Sequence, residues 1–305
     1  MSTLLCLGLG YTAAHYVARH GSRFERAIGT VRTPKKAAAL SAAGIGGRPV
    51  ETIVFDGNTA SDRLAAAVET ADALLVSVPP SAHGDPVPTM VSAALARRAR
   101  APAIVYLSTV GVYGDHDGGF VDETQEPRPI SARSMARLAA ELAWQEIGRR
   151  TQAPVAVLRL AGIYGPGRNA LRNLIEGTAK RIVKPGQVFN RIHADDIGTA
   201  IDAAFVRRAG GIVNVADDQP APPQDVVAFA AGLLGLAPPP EIPFAQAAKT
   251  MTAISLSFFC ENKRVRNDRL KAEWGVRLLH PTFRDGLRAL HAAGDHLRVP
   301  HRSPI

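Results

Sequence analysis

Thr3-Leu-Leu-Cys-Leu-Gly-Leu-Gly-Tyr-Thr-Ala13 decides the fold of this chain. The apolar run Thr3 to Leu7 reads as a strand. Gly8-Leu-Gly10-Tyr11-Thr12-Ala13 follows it directly, opens a helix, and fits G-x-G-x-x-A in the required context. Gly8 permits the tight turn, Gly10 lets backbone approach a pyrophosphate, and Ala13 keeps helix and sheet close. Tyr11 and Thr12 lie at the helix entrance, where free amides face phosphate oxygens.

Outward from this turn, β-branched runs alternate with Ala-rich helical stretches, the pattern of a parallel α/β sheet. Strands are expected at Thr3 to Leu7, Arg26 to Val31, Glu51 to Phe55, Ala73 to Val78, Ala103 to Leu107 and Val155 to Leu160. Helices are expected at Thr12 to His20, Pro34 to Ala43, Ser61 to Val68, Pro88 to Arg100 and Ser131 to Arg150. After Gly165 the alternation weakens and prolines punctuate the chain, which predicts a smaller second lobe. The expected division is residues 1–165 as the nucleotide domain and 166–305 as mainly a substrate lobe. Residues 190–216, with a strand at Gly211 to Val215, return to the first domain, and the tail from Val299 to Ile305 is expected to fray.

The second strand ends without the carboxylate that NAD-binding units use on the ribose hydroxyls. From Ala27 through Val50 there is no Asp or Glu, and Arg32, Lys35 and Lys36 stand there instead. An arginine at that point suits a 2′-phosphate and favours NADP over NAD, whereas Lys35 and Lys36 also read as a solvated helix start. Asp56 is placed to accept from the adenine amino group, although Asp-Gly-Asn is also a common turn. Val78, Pro79 and Pro80 are expected to line the crevice at the strands' carboxyl ends.

Among 305 residues, 46% hydrophobic and 21% charged describe an ordinary globular chain. No apolar run approaches the roughly 18 to 20 residues of a membrane span, and the N-terminus lacks a basic region ahead of its glycines, so a cytoplasmic protein without a membrane partner is expected. The net charge of +9 raises the question of nucleic acid, but only seven bases are lysines and the paired arginines fall at expected helix ends. No nucleic-acid reader motif accompanies them. Cys6 and Cys260 have no metal-ligand or disulfide spacing and read as buried small residues.

Three further stretches, Leu107-Ser-Thr-Val-Gly-Val-Tyr-Gly114, Arg159-Leu-Ala-Gly-Ile-Tyr-Gly-Pro-Gly-Arg168 and Arg191-Ile-His-Ala-Asp-Asp196, occur in order. With the glycine turn they make the chain similar to the extended short-chain dehydrogenase/reductases, the NAD(P)-dependent epimerase/dehydratase group, in an atypical form. The resemblance covers nearly the whole chain. It implies a Rossmann-type doubly wound parallel sheet, a smaller C-terminal α+β substrate lobe, and a catalytic Ser/Thr, Tyr and Lys. Alignment on Val112-Tyr113-Gly114 places Thr109 at the Ser/Thr position, with Ser108 beside it expected in the cofactor crevice, although strand-end packing also suits it. The resemblance also implies a homodimer formed by the helices Pro88 to Arg100 and Ser131 to Arg150, although their apolar residues fit a monomer equally.

The family's Tyr-x-x-x-Lys is missing. Counted back from Glu141, Arg133 falls at the tyrosine position and Arg137 at the lysine position. The five tyrosines are followed four residues later by His15, His20, Val110, Asp117 and Arg168, so no register restores the motif. An arginine, with a pKa above about 12, cannot trade protons near neutral pH. Arg137 could still bind the nicotinamide ribose and Arg133 an anionic substrate, with a proton from Tyr113, Tyr164, His193 or water. Asp195 or Asp196 reads as the cap of a helix from Ile197 to Phe205, and no further metal ligand is visible for His193. In Glu261 to Asn267, Arg264 is a candidate anion contact and Asn267 or Asp268 a helix cap.

The reading is an NADP-binding oxidoreductase or epimerase-like enzyme acting on a small polar or anionic substrate. The alternative is a non-catalytic NADP-binding sensor.

Overall fold

The computed structural model describes residues 2–57, 61–81 and 84–297; the tail from Val299 lies outside them. The first half is a series of β-α units: β1 (Thr3–Leu7), α1 (Tyr11–His20), β2 (Arg26–Val31), α2 (Pro34–Ala43), β3 (Glu51–Val54), α3 (Asp62–Thr70), β4 (Ala73–Val76), α4 (Pro86–Ala96) and β5 (Ala103–Thr109). A short β6 (Phe120–Val121), the long α5 (Ala132–Thr151), β7 (Val155–Leu160) and β8 (Gly162–Tyr164) follow. The second half contains α6 (Ala170–Ile175), β9 (Arg181–Val183), β10 (Arg191–His193), α7 (Ala194–Arg207), β11 (Gly211–Val215), α8 (Pro223–Leu233) and β12 (Glu241–Pro243). It ends with α9 (Phe244–Ala247), α10 (Ala253–Phe259), β13 (Arg264–Val265), α11 (Asp268–Ala272) and α12 (Phe283–Ala292).

Seven parallel strands form the central sheet in the order β3-β2-β1-β4-β5-β7-β11, a Rossmann-type doubly wound arrangement. The order reverses between β1 and β4, where a crevice opens beyond the strands' carboxyl ends. Strand alternation explains the two cores. Leu4 and Cys6 pack on the α1 and α7 side, whereas Leu5 and Leu7 pack on the side of α3, α4 and α5. β11 closes the sheet against β7, and α7 lies beside α1, so this part of the second half rejoins the first. A smaller core of Leu171, Val226, Phe283 and Leu287 holds the second lobe.

Local chemistry sets the boundaries. Ser61, Asp85 and Ser131 accept first-turn amides at α3, α4 and α5. β4 stops at Val76 rather than Val78 because the amides of Ser77 and Val78 both turn to Leu7 O. β5 runs two residues further than expected and ends on Thr109. Cys6 is fully buried, which pushes its thiol pKa up to about 12, whereas Cys260, read as buried, is exposed at the end of α10. No described helix is long and apolar enough to cross a membrane.

One ion pair fastens α5 to the sheet. Glu141, fully buried, is bonded by Arg159 of β7 through Nη2 at 2.8 Å and Nε at 3.2 Å, and by the Ser108 hydroxyl. Removing one partner strands a charge in the core. Arg159→Ala is expected to cost about 3–5 kcal/mol in urea unfolding; a cost below about 1 kcal/mol would show that the pair carries no such constraint.

Candidate active site

The glycine turn is pinned from both sides. Gly8 has φ +92°, and a Cβ there would lie 2.9 Å from both Val78 N and Val78 Cγ2, so only glycine fits. Its amide donates to Thr30 Oγ1 at 2.7 Å, Leu9 N donates to Thr30 O at 2.8 Å, and the Ser77 hydroxyl donates to Gly8 O at 2.8 Å. Gly10, by contrast, faces open space: a Cβ there would meet nothing within 4 Å. Gly10 caps α1 without a side chain, and the first amide bonded back into the helix is that of Ala14. The amides of Tyr11, Thr12 and Ala13 therefore front this space as an anion site. A dinucleotide pyrophosphate fits these residues.

Past β2, Arg32 is exposed and Lys36 half-buried on the first turn of α2. The Lys36 ammonium donates to Leu9 O at 3.2 Å, which ties it to the glycine turn. Burial, and next the charge of Arg32, lower the Lys36 pKa. Lys35 is exposed beside them. Glu51, the next carboxylate along the chain, is bound by Arg26. Two cations thus crowd the end of β2 without a local acid. Asp56 is exposed just past β3, and Val78, Pro79 and Pro80 follow β4 along the crevice.

At the end of β5, Thr109 Oγ1 accepts from Gly111 N at 3.1 Å, which leaves its own proton to donate. Ser134 Oγ, buried and receiving the Ser131 hydroxyl at 2.9 Å, lies on the same side of Gly111. Arg137 Nη1 donates to Leu107 O at 2.9 Å and to the Tyr106 hydroxyl at 3.1 Å, which holds a guanidinium at the carboxyl end of β5. Arg133 is exposed on α5, its guanidinium 4.9 Å from the ring of Phe258 on α10 of the second lobe. The sequence reading missed Ser134 and Phe258: one looks like a helix-start residue and the other meets α5 only through tertiary folding.

Tyr113 and Tyr164, candidate proton donors, are enclosed instead. Tyr113 is fully buried, its hydroxyl donates to Asn214 Oδ1 at 2.7 Å, and Arg159 lies 4.8 Å from its ring. Burial raises its pKa despite that guanidinium. Tyr164 packs in the second-lobe core, and burial raises its pKa well above the ordinary phenol range. Ser108, expected in the cofactor crevice, is buried on Glu141. The Tyr11 hydroxyl donates to Pro166 O at 3.1 Å, and Arg168 stands 5.8 Å from its ring, so this side chain joins the two lobes while its amide faces the phosphate space.

Two expected caps are corrected as well. His193, not an aspartate, caps α7, its Nδ1 accepting from Asp195 N at 3.1 Å, because Asp196 is drawn to the amides of Leu279 and His280. Asn267 leaves α11 uncapped and donates to Ala216 O and Asp218 Oδ1. Arg264 is turned onto Gly118 O.

Residues 87–216 match the NAD dependent epimerase/dehydratase family. Over 253 residues, 78% of this chain and 86% of the relative, the sequence is 32% identical to Protein YeeZ of Escherichia coli (strain K12). The chain belongs to the NAD dependent epimerase/dehydratase family. It is also 32% identical over 139 residues to the 3-diazoavenalumate denitrifying reductase of Streptomyces sp. That match covers 43% of this chain and 45% of the reductase, so it spans less than half of that protein's length. A solved structure of a functionally unknown conserved protein from Silicibacter pomeroyi DSS is 43% identical, with TM-score 0.84, covering 96% of this chain and 99% of that one. The human epimerase family protein SDR39U1 (isoform2) with NADPH has TM-score 0.73 at 17% identity, covering 95% of this chain and 99% of that one, and shares the fold.

The enclosure of Tyr113 has a measurable consequence. Tyr113→Phe leaves the buried Asn214 carbonyl without its donor and is expected to cost about 1–3 kcal/mol of stability, while turnover per folded molecule stays unchanged. A large fall in kcat with normal stability would restore Tyr113 as a proton donor.

Proposed function

We propose that this protein is an NADP-dependent oxidoreductase or epimerase-like enzyme of an atypical class, acting on a small polar, anionic substrate. The observation that carries this reading is the open amide cradle of Gly10 to Ala13 beside the Arg32 and Lys36 pair. Residues Gly8 to Ala13 hold the pyrophosphate, Arg32 and Lys36 the 2′-phosphate, and Asp56 the adenine. Val78, Pro79 and Pro80 line the nicotinamide side, where the cofactor, when bound, exchanges hydride. NADPH in the human relative's structure supports this cofactor.

Arg137 takes the lysine's place at the nicotinamide ribose, which its position at Leu107 O supports. Thr109 donates to the substrate oxygen or its equivalent, and Arg133 binds the substrate's negative charge. Neither guanidinium supplies a proton, so the reaction draws it from water, which the Thr109 hydroxyl can relay by giving its own proton as it takes one from the water, rather than from a tyrosine. The relative named a reductase supports the reductive direction. In the second lobe a cavity of about 320 Å³, where Arg168, Asn169, Asn173 and Arg191 face apolar Val226, Phe283 and Leu287, supports a substrate with both an anionic and an apolar part. Exposed Met135 and Leu142 on α5 support pairing of two copies along this helix.

A sensor without turnover is the second reading, favoured by the missing Tyr-x-x-x-Lys. Thr109→Ala separates the two. The enzyme reading expects kcat for NADPH oxidation across a panel of anionic carbonyl and diazo compounds to fall about 10²- to 10³-fold, with NADPH affinity unchanged. Absence of NADPH oxidation by wild-type protein across that panel, with NADPH still bound, would favour the sensor.

A further inference from the structure

Beside α1, donor atoms from the start of α7 and from the loop before α12 converge. His280, in the loop before α12, brings Nε2 to 3.4 Å from Asp195 Oδ2, and His193 Nδ1 lies 3.7 Å from the same oxygen. One ligand atom from each of the three residues lies within 4.8 Å of the other two. Atoms bound to one tetrahedral zinc at about 2.0–2.1 Å stand about 3.3 Å apart, so small adjustments would bring this set onto an ion. The other oxygen, Asp195 Oδ1, is held by His15 Nε2 at 2.7 Å and Arg19 Nε at 3.3 Å. Such outer contacts orient a metal-binding carboxylate.

We propose that His193, Asp195 and His280 form a site for a divalent transition ion of the zinc class, with His15 as the residue that orients Asp195. A protein set of two imidazoles and one carboxylate suits zinc, and a fourth position remains for water. His193 Nδ1, which accepts the Asp195 amide, must release it to take the ion; one neutral hydrogen bond is exchanged for a metal bond. The ion would fasten the loop before α12 onto the start of α7 and, through the His15 bond to Asp195, onto α1. Its role is structural, since none of its ligands is among the residues placed at the nicotinamide or substrate.

The test uses the full-length protein, free of any affinity tag, stripped with a chelator, and carrying Cys260→Ser to remove an exposed competing thiol. Zn²⁺ is titrated calorimetrically, and Co²⁺ is followed by its visible absorption. The expected result is one ion per chain, an intense tetrahedral Co²⁺ band, and a higher melting temperature with Zn²⁺. His280→Gln should weaken binding by about tenfold or more without changing the circular dichroism spectrum. His291→Gln, which disturbs the separate stacked pair His291 and His296, should leave it unchanged. No stoichiometric binding, or binding that survives His280→Gln, overturns the proposal.

Discussion

The close approach of Gly8 to the chain leaving β4 is the constraint on which the cofactor crevice depends. At φ +92°, with Val78 N where a side chain would stand, the backbone can turn at the switch point and start α1 there. Thr30 and Ser77 fix that turn from the neighbouring strands through three hydrogen bonds. The result is a helix N-terminus whose amides meet open space. Because the turn is rigid, the Lys36 ammonium can rest on Leu9 O within the same small region.

The carboxyl end of β5 is organised differently, from below. Glu141 and Arg159 form a buried pair that joins α5, β5 and β7, with Ser108 and the Tyr113 ring completing the packing. This frame holds the first turns of α5, with Arg133 and Arg137, against the end of β5. The face above this frame carries two permanent cations and the hydroxyls of Thr109 and Ser134. A face of this kind attracts anions but offers no group that titrates near neutral pH.

Much of the first half was legible because its structure follows local rules. Continuous apolar runs, serine caps and the glycine spacing each act within a few residues, and the strands and helices fall within a few residues of their expected ends. The absence of an acid after β2 was equally visible, since it is a property of one short stretch. Tyr113 and Ser108 were harder, because a tyrosine in a loop gives no sign of Asn214, about a hundred residues later, that encloses it. His280 shows the same limit: nothing near it in sequence marks it as the neighbour of His193 and Asp195. Asp196 left the α7 cap for two amides before α12, a competition that only tertiary folding sets up.

The central claim is that the cation pair past β2 selects the phosphorylated cofactor, and parallel calorimetric titrations with NADPH and NADH test it most directly. The account predicts that wild-type protein binds NADPH about tenfold or more tighter than NADH, and that Arg32→Ala abolishes the difference while leaving NADH binding intact. Equal affinities in the wild-type protein, or a preference that survives Arg32→Ala, would contradict it.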